Sequence, residues 1–526
     1  MDQANDTKTA RGLAPDFLKR GWFWTVVRWS TFAAMAGVVA TAWGRRGIPG
    51  VDAPDPLMYT NLGNLGFWVL WLMGIVLLVP LVGRAWCSVC PIGAMNEFTS
   101  RFGLKKVFPR FIRNQHPKAL ALLITVLLMG MFRIHHYPDA TAWYLLAWSA
   151  AAVVAGAMFT GRSLCAYLCP VGGMLGLYGR TAPLRCGVRD DEVCRDCEDR
   201  ECVRGAVSWL TAGFGRLKFS LRMRKNPCPV NLRVWDMDGT DRCLMCFNCM
   251  RACPLDNVAL FGRKPLASLW TESYPRFSDT VFLGALMGFI FLTFSRFWPP
   301  VQEAMVLPVR LLSPYLGTAT RPVFLLWLGI GFPLLIVLIS AALVVWSRTN
   351  STVGIIPGGI TPENIPAGGS GAFTGLPLKI WFEKRSTQEM DDPTGEEKIM
   401  GTDTVRGLSA VYAPATVPFL LSSHLVLALV KLNTKLAYLP AAAADPVGVR
   451  SYMAIWELGL LSRPGALLPI SIVKTVSLAL LLSGTVLSLW TYSKISRREG
   501  RGALPMLFPL LVLAVVVYGG FYNWLF

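Results

Sequence analysis

The run Cys243-Leu-Met-Cys246-Phe-Asn-Cys249-Met-Arg-Ala-Cys253-Pro254 constrains this chain more than any other stretch. Its C-x2-C-x2-C-x3-C-P spacing wraps three thiolates around a [4Fe–4S] cube and hands the fourth cysteine to a second cube. Zinc is the competing metal, because paired C-x2-C units also bind it. Three cysteines in tight register before Cys-Pro favour iron–sulfur.

The chain around this run reads as membrane. Of its 526 residues, 53% are hydrophobic and only 16% charged, a composition rare in soluble proteins. Apolar stretches near 22–43, 66–83, 117–134, 140–160, 279–297, 322–346, 407–432, 467–492 and 505–526 approach the length of about 20 residues that crosses the hydrocarbon core. The expected fold is therefore an all-α polytopic membrane protein of about nine transmembrane helices with a ferredoxin-like two-cube insert. No cleavable leader is read at the polar N-terminus. The net charge of +19 is assigned to cytoplasmic loops and not to nucleic-acid binding.

Basic residues set the orientation. Lys8, Arg11, Lys19 and Arg20 precede span one, and Arg101, Lys105, Lys106, Arg110 and Arg113 follow span two. Arg180, Arg185, Arg222, Arg224 and Lys225 follow span four, and Lys494, Arg497, Arg498 and Arg501 follow span eight. With nine spans all four sets face one side, the cytoplasm of a bacterial inner membrane, and the C-terminus lies outside. Three regions result: a four-helix membrane domain 1–160, a cytoplasmic iron–sulfur insert 161–275, and a five-helix membrane domain 276–526 with a Gly- and Pro-rich cytoplasmic loop 349–406.

The 13 cysteines fall in metal-ligand spacing, not in a disulfide framework. The insert holds a second group, Cys194-x2-Cys197-x4-Cys202, with Cys228-Pro229 further on. If the last cysteine of each group ligates the other cube, then Cys194, Cys197, Cys202 and Cys253 hold one, and Cys243, Cys246, Cys249 and Cys228 the other. Cys186 is left over. It reads as a small buried hydrophobe, or as a substitute ligand for Cys228.

Two more thiol pairs stand at helix ends. Arg84-Ala-Trp-Cys87-Ser-Val-Cys90-Pro91-Ile-Gly93 ends span two, and Arg162-Ser-Leu-Cys165-Ala-Tyr-Leu-Cys169-Pro170-Val-Gly172 ends span four. Both fall on the cytoplasmic face, where four thiolates could hold a third cube or a soft metal such as Cu(I), or act as two redox dithiols. The plainer reading is free cysteines capping helix ends. Arg84 and Arg162 would offset the charge of a thiolate cluster, or serve as ordinary positive-inside anchors.

Two Gly-Arg-x2-Cys-x2/3-Cys-Pro segments followed by a two-cube insert resemble the membrane polyferredoxins of the NapH/NosR/CcoG type. The resemblance covers roughly residues 20–275. Gly161 to Pro170 fits the pattern, while Cys87 and Cys90 are one residue closer than it asks. It implies electron transfer between a quinone pool or cytoplasmic donor and a partner protein. That partner would be a periplasmic reductase or a metalloenzyme being matured.

Residues 276–526 contain no cysteine. His424 falls in span seven, where a polar group is a functional candidate, for instance a hydrogen bond to a quinone carbonyl. The plainer reading is a bond to a neighbouring helix. Lys474 lies in span eight, within snorkelling reach of the outer surface. Haem is disfavoured, since C-x-x-C-H is absent and the chain has only four histidines. The leading expectation is an inner-membrane electron-transfer subunit of a redox complex. It would have two cubes, a further helix-end centre, a quinone, and a periplasmic cytochrome or reductase as partner. A copper-reducing assembly factor and a non-redox structural anchor are the alternatives.

Overall fold

The computed structural model describes residues 15–214, 217–225, 227–237, 242–271, 276–351, 404–500 and 503–525. Most of the expected loop 349–406 and the N-terminal residues Lys8 and Arg11 lie outside them. The described chain is mostly helical. Eight helices in it are long and apolar enough to cross a membrane: Gly21–Ala42, Leu62–Val82, Pro138–Met158, Phe277–Phe297, Pro299–Arg348, Val405–Ala444, Ile470–Glu499 and Leu504–Leu525. The third expected span is the apolar helix His116–Phe132, whose 17 residues fall short of that length. The stretch 298–321, left between the fifth and sixth expected spans, is largely helix Pro299–Leu316. That helix folds back so that Trp327 Nε1 donates to Met305 O at 2.8 Å.

Burial differs from helix to helix. The first span shows Trp22, Val26, Trp29 and Phe32 on its surface, as a helix facing lipid would. The segments Phe277–Phe297 and Val405–Ala444 lie inside, and Phe282, Phe291, Phe294 and Phe419 are fully buried in the main core. There Phe282 meets Gly173 of the first half, so that core draws on both halves of the chain. Tyr178 extends the junction by sharing a hydrogen with His424 Nδ1 at 2.6 Å, while Phe289 stacks on the imidazole.

The insert is bounded by a pair of strands. β1 (Leu184–Val188) runs antiparallel to β4 (Val258–Gly262), with Leu184 opposite Gly262 and Val188 opposite Val258. Between them β2 (Ala206–Phe214) and β3 (Leu217–Lys225) form a separate hairpin with Ala206 opposite Lys225.

Candidate metal centre

The hairpin brings distant cysteines together. Its base closes just after Cys202 and just before Cys228, and Cys228 N donates to Val203 O at 3.0 Å. Cys194 stands on helix Asp191–Arg195, whose N-cap Asp190 accepts from Glu192 N. Cys202 stands on helix Glu201–Arg204, Cys249 on helix Asn248–Ala252, and Cys253 caps the end of the latter.

Two thiol sets result. Cys202 has Cys249, Cys253, Cys194 and Cys197 around it, so the two sets adjoin through Cys249. Asn257 joins this set, donating from Nδ2 to Cys194 Sγ at 3.2 Å and from its backbone to Cys253 Sγ at 3.4 Å. The second set lines a small cavity with Cys186, Cys228, Cys243, Cys246 and Cys249. Backbone N–H groups of Leu232 and Met245 donate to Cys228 and Cys243 at 3.3 and 3.4 Å. Burial pushes the Cys246 thiol up to about 11 and those of Cys202 and Cys228 up to about 12, and neighbouring thiols add to each rise. Such a set ionises only when a positive core replaces its protons, and N–H donors aimed at sulfur suit the thiolate that results.

The helix-end pairs form a third set. Cys165 has Cys169, Cys90 and Cys87 as neighbours. Gly83 and Gly161 turn the chain at φ 60° and 65°, a backbone that favours glycine, at the start of each motif. Pro91 and Pro170 each open the next helix, and Cys90 and Cys169 are its N-caps. Gly172 N donates to Cys169 Sγ at 3.3 Å. The spacing differs, C-x2-C against C-x3-C, but the backbone absorbs the extra residue. Cys90 N bonds back to Trp86 O as in an α-turn, whereas Cys169 N bonds back to Leu164 O across a π-turn, Leu164–Leu168.

The arginines cross over. A Cβ on Gly93 would stand 3.2 Å from Arg162 Nη1, and one on Gly172 would stand 3.3 Å from Arg84 Nη2. Arg162 is fully buried. It donates to the Cys87 carbonyl, to Ser88 O at 3.3 Å, and from Nε and Nη2 to Glu97 Oε2 at 2.9 and 2.8 Å. Arg28 of the first span approaches the same carboxylate at 3.7 Å. Burial alone would raise the Glu97 carboxyl, but the guanidinium groups of Arg162 and Arg28 outweigh it and hold it at about 2.

The second and third sets adjoin. Cys246 lies near both Arg162 and Glu97. Arg162 N donates to Pro229 O at 2.7 Å, and a Cβ on Gly83 would stand 3.2 Å from Met245 Sδ. Among the described residues no three His, Cys, Asp or Glu side chains sit at the spacing of a single metal ion. Cavity, sulfur-only donors and aimed N–H groups fit a larger iron–sulfur core.

Other singled-out residues lie elsewhere. His424 is enclosed between Tyr178, Leu420 O and Phe289. His135 and His136 meet edge to face between helices His116–Phe132 and Pro138–Met158, and His136 pairs with Asp55. Lys474 sits near the start of helix Ile470–Glu499. Sequence reasoning passed over Glu97, one of two acidic residues between positions 56 and 189. Its four-residue spacing from Arg101 was the available signal.

Two stretches match a 4Fe-4S binding domain family. They are residues 64–109 and 141–186, each carrying one helix-end motif. The chain is also similar to "Putative electron transport protein YccM" of Escherichia coli strain K12, 24% identical over 282 residues, 47% of this chain and 71% of that protein. Uncharacterized proteins MJ0750 and MJ0749 of Methanocaldococcus jannaschii are 20% and 22% identical, over 38% and 34% of this chain and 80% and 64% of theirs. No solved structure matches the chain.

Proposed function

We propose that this chain is an inner-membrane iron–sulfur electron-transfer subunit. It would bind cubes at Cys194/Cys197/Cys202/Cys253 and at Cys228/Cys243/Cys246/Cys249, and a third at Cys87/Cys90/Cys165/Cys169. The carrying observation is adjacency. One arginine, Arg162, touches the third set through the Cys87 carbonyl and is bonded to the Cys228-Pro229 turn of the second. Bound cubes supply one-electron carriers. The protein's residues hold them in line, offset thiolate charge with Arg162, and exclude water by burial. The helices and the basic loop residues support a multi-pass orientation with the insert in the cytoplasm. Electrons would then pass between a quinone or cytoplasmic donor and a partner redox protein, a periplasmic cytochrome or reductase. A quinone contact at His424 belongs to the same reading.

The test is iron, sulfide, copper and zinc per chain on anaerobically purified protein, with EPR of the reduced form. About twelve irons support three cubes. About eight would leave the helix-end set without one. Stoichiometric copper that vanishes in Cys165→Ser/Cys169→Ser would replace the third cube with a copper site. Stoichiometric zinc with iron near zero would overturn the electron-transfer reading.

A further inference from the structure

A cube needs four cysteine thiolates, and the second set contains five. Cys228, Cys243, Cys246 and Cys249 account for the four. The fifth, Cys186, comes from β1, on the far side of the insert in sequence. Its backbone is fixed opposite Leu260 by the strand pair that closes the insert. Its side chain is 3% exposed, and its Sγ lies 3.8 Å from Cys249 Sγ. A buried cysteine that served only as a hydrophobe would not need to point at a ligand. The strand pairing holds this thiol at the cavity edge whatever the cluster loops do.

We propose that Cys186 is a reserve ligand that takes over the iron of Cys249, an inference that rests on the second set being a cube site. In the exchange the Fe–S bond to Cys249 breaks and one to Cys186 forms. The Cys186 proton passes to the departing Cys249 sulfur across the existing contact. Charge and electron count are unchanged, and no oxidant, reductant or water enters. The consequence is a cube that survives loss of one ligand, for example when that sulfur is chemically damaged.

Iron and sulfide content and reduced-state EPR of four forms test this: wild type, Cys186→Ala, Cys249→Ala and the double variant. Both single variants should keep the wild-type iron count, with the EPR signal of the second cube altered only in Cys249→Ala. The double variant should lose about four irons. The irons that remain at the other sets report that it has folded. Loss of about four irons in Cys249→Ala alone, or in Cys186→Ala alone, would overturn the proposal, as would retention in the double variant. A wild type without clusters would instead overturn the function proposed above, before any variant is compared.

Discussion

The two helix-end motifs carry the same parts at different spacing, and they reach the same local geometry. In the first, Cys90 closes an α-turn on Trp86; in the second, Cys169 closes a π-turn on Leu164. Both cysteines then cap a helix that opens with proline. Ligand spacing in sequence is therefore a poor guide to ligand position when a helix can take up a residue as a π-turn. The motifs do differ in charge. Glu97 lies seven residues after Cys90, whereas the corresponding position after Cys169 is Gly176. The first motif thus supplies the carboxylate that compensates the second motif's arginine.

The largest test of equivalence is ligand removal. Cys90→Ala and Cys169→Ala are each expected to lose about four irons and the same EPR component. Unequal losses would mean that the pairs do not share one centre. Next comes the charge asymmetry. Glu97→Ala leaves the buried Arg162 guanidinium without its partner and should destabilise the fold by about 3–5 kcal/mol in denaturant or thermal unfolding.

Acid probes the same pair. The Glu97 carboxyl is held at about 2 against an ordinary 4.5, so its contribution is complete above pH 4.5 and is lost as pH falls towards 2. The stability gap between wild type and Glu97→Gln should narrow across that window by about 3 kcal/mol. A gap that is constant between pH 6 and 3 would show that the ion pair contributes nothing.

Deleting Ala166 should turn the second motif into C-x2-C and its π-turn into an α-turn. Iron content should stay unchanged, at a cost of about 1–3 kcal/mol from displaced packing. Loss of iron there would show that the extra residue is needed and the likeness superficial. The smallest effect concerns the helices behind the motifs. Helix Pro170–Tyr178 is tied to the second half through Tyr178 and His424, and Tyr178→Phe should cost about 1 kcal/mol in unfolding with the iron count intact.

Much of this arrangement was legible in the sequence. The apolar runs gave most of the helices, because length and hydropathy alone decide what crosses a bilayer. The spacing of Cys243 to Cys253 pointed to a cube, because ligand spacing is local chemistry. What the sequence hid was long-range. The separation of Cys228 from Cys202 made it a weak candidate until a hairpin closed between them. Cys186 sits next to Cys249 only because β1 pairs with β4 at the two ends of the insert. The crossing of Arg84 and Arg162 depends on helix packing, which no local pattern encodes. The segment 298–321 fell between two expected spans, and it is largely helix. Pro299 and Pro300 sit in the first turn of helix Pro299–Leu316, where proline is tolerated, while Pro308 and Pro314 lie inside it.

Gly161 gives the arrangement a kinetic side. Its missing side chain lets the Pro229 carbonyl come down onto the backbone of the second motif, and a Cβ there would collide with that oxygen. Electron tunnelling decays exponentially with separation, so in the proposed relay a methyl group wedged at this seam would slow transfer between the second and third thiol sets. It would also displace the Pro229 carbonyl that accepts from Arg162 N, next to Cys228. The pace of the proposed relay is thus set in part by an atom that is not there.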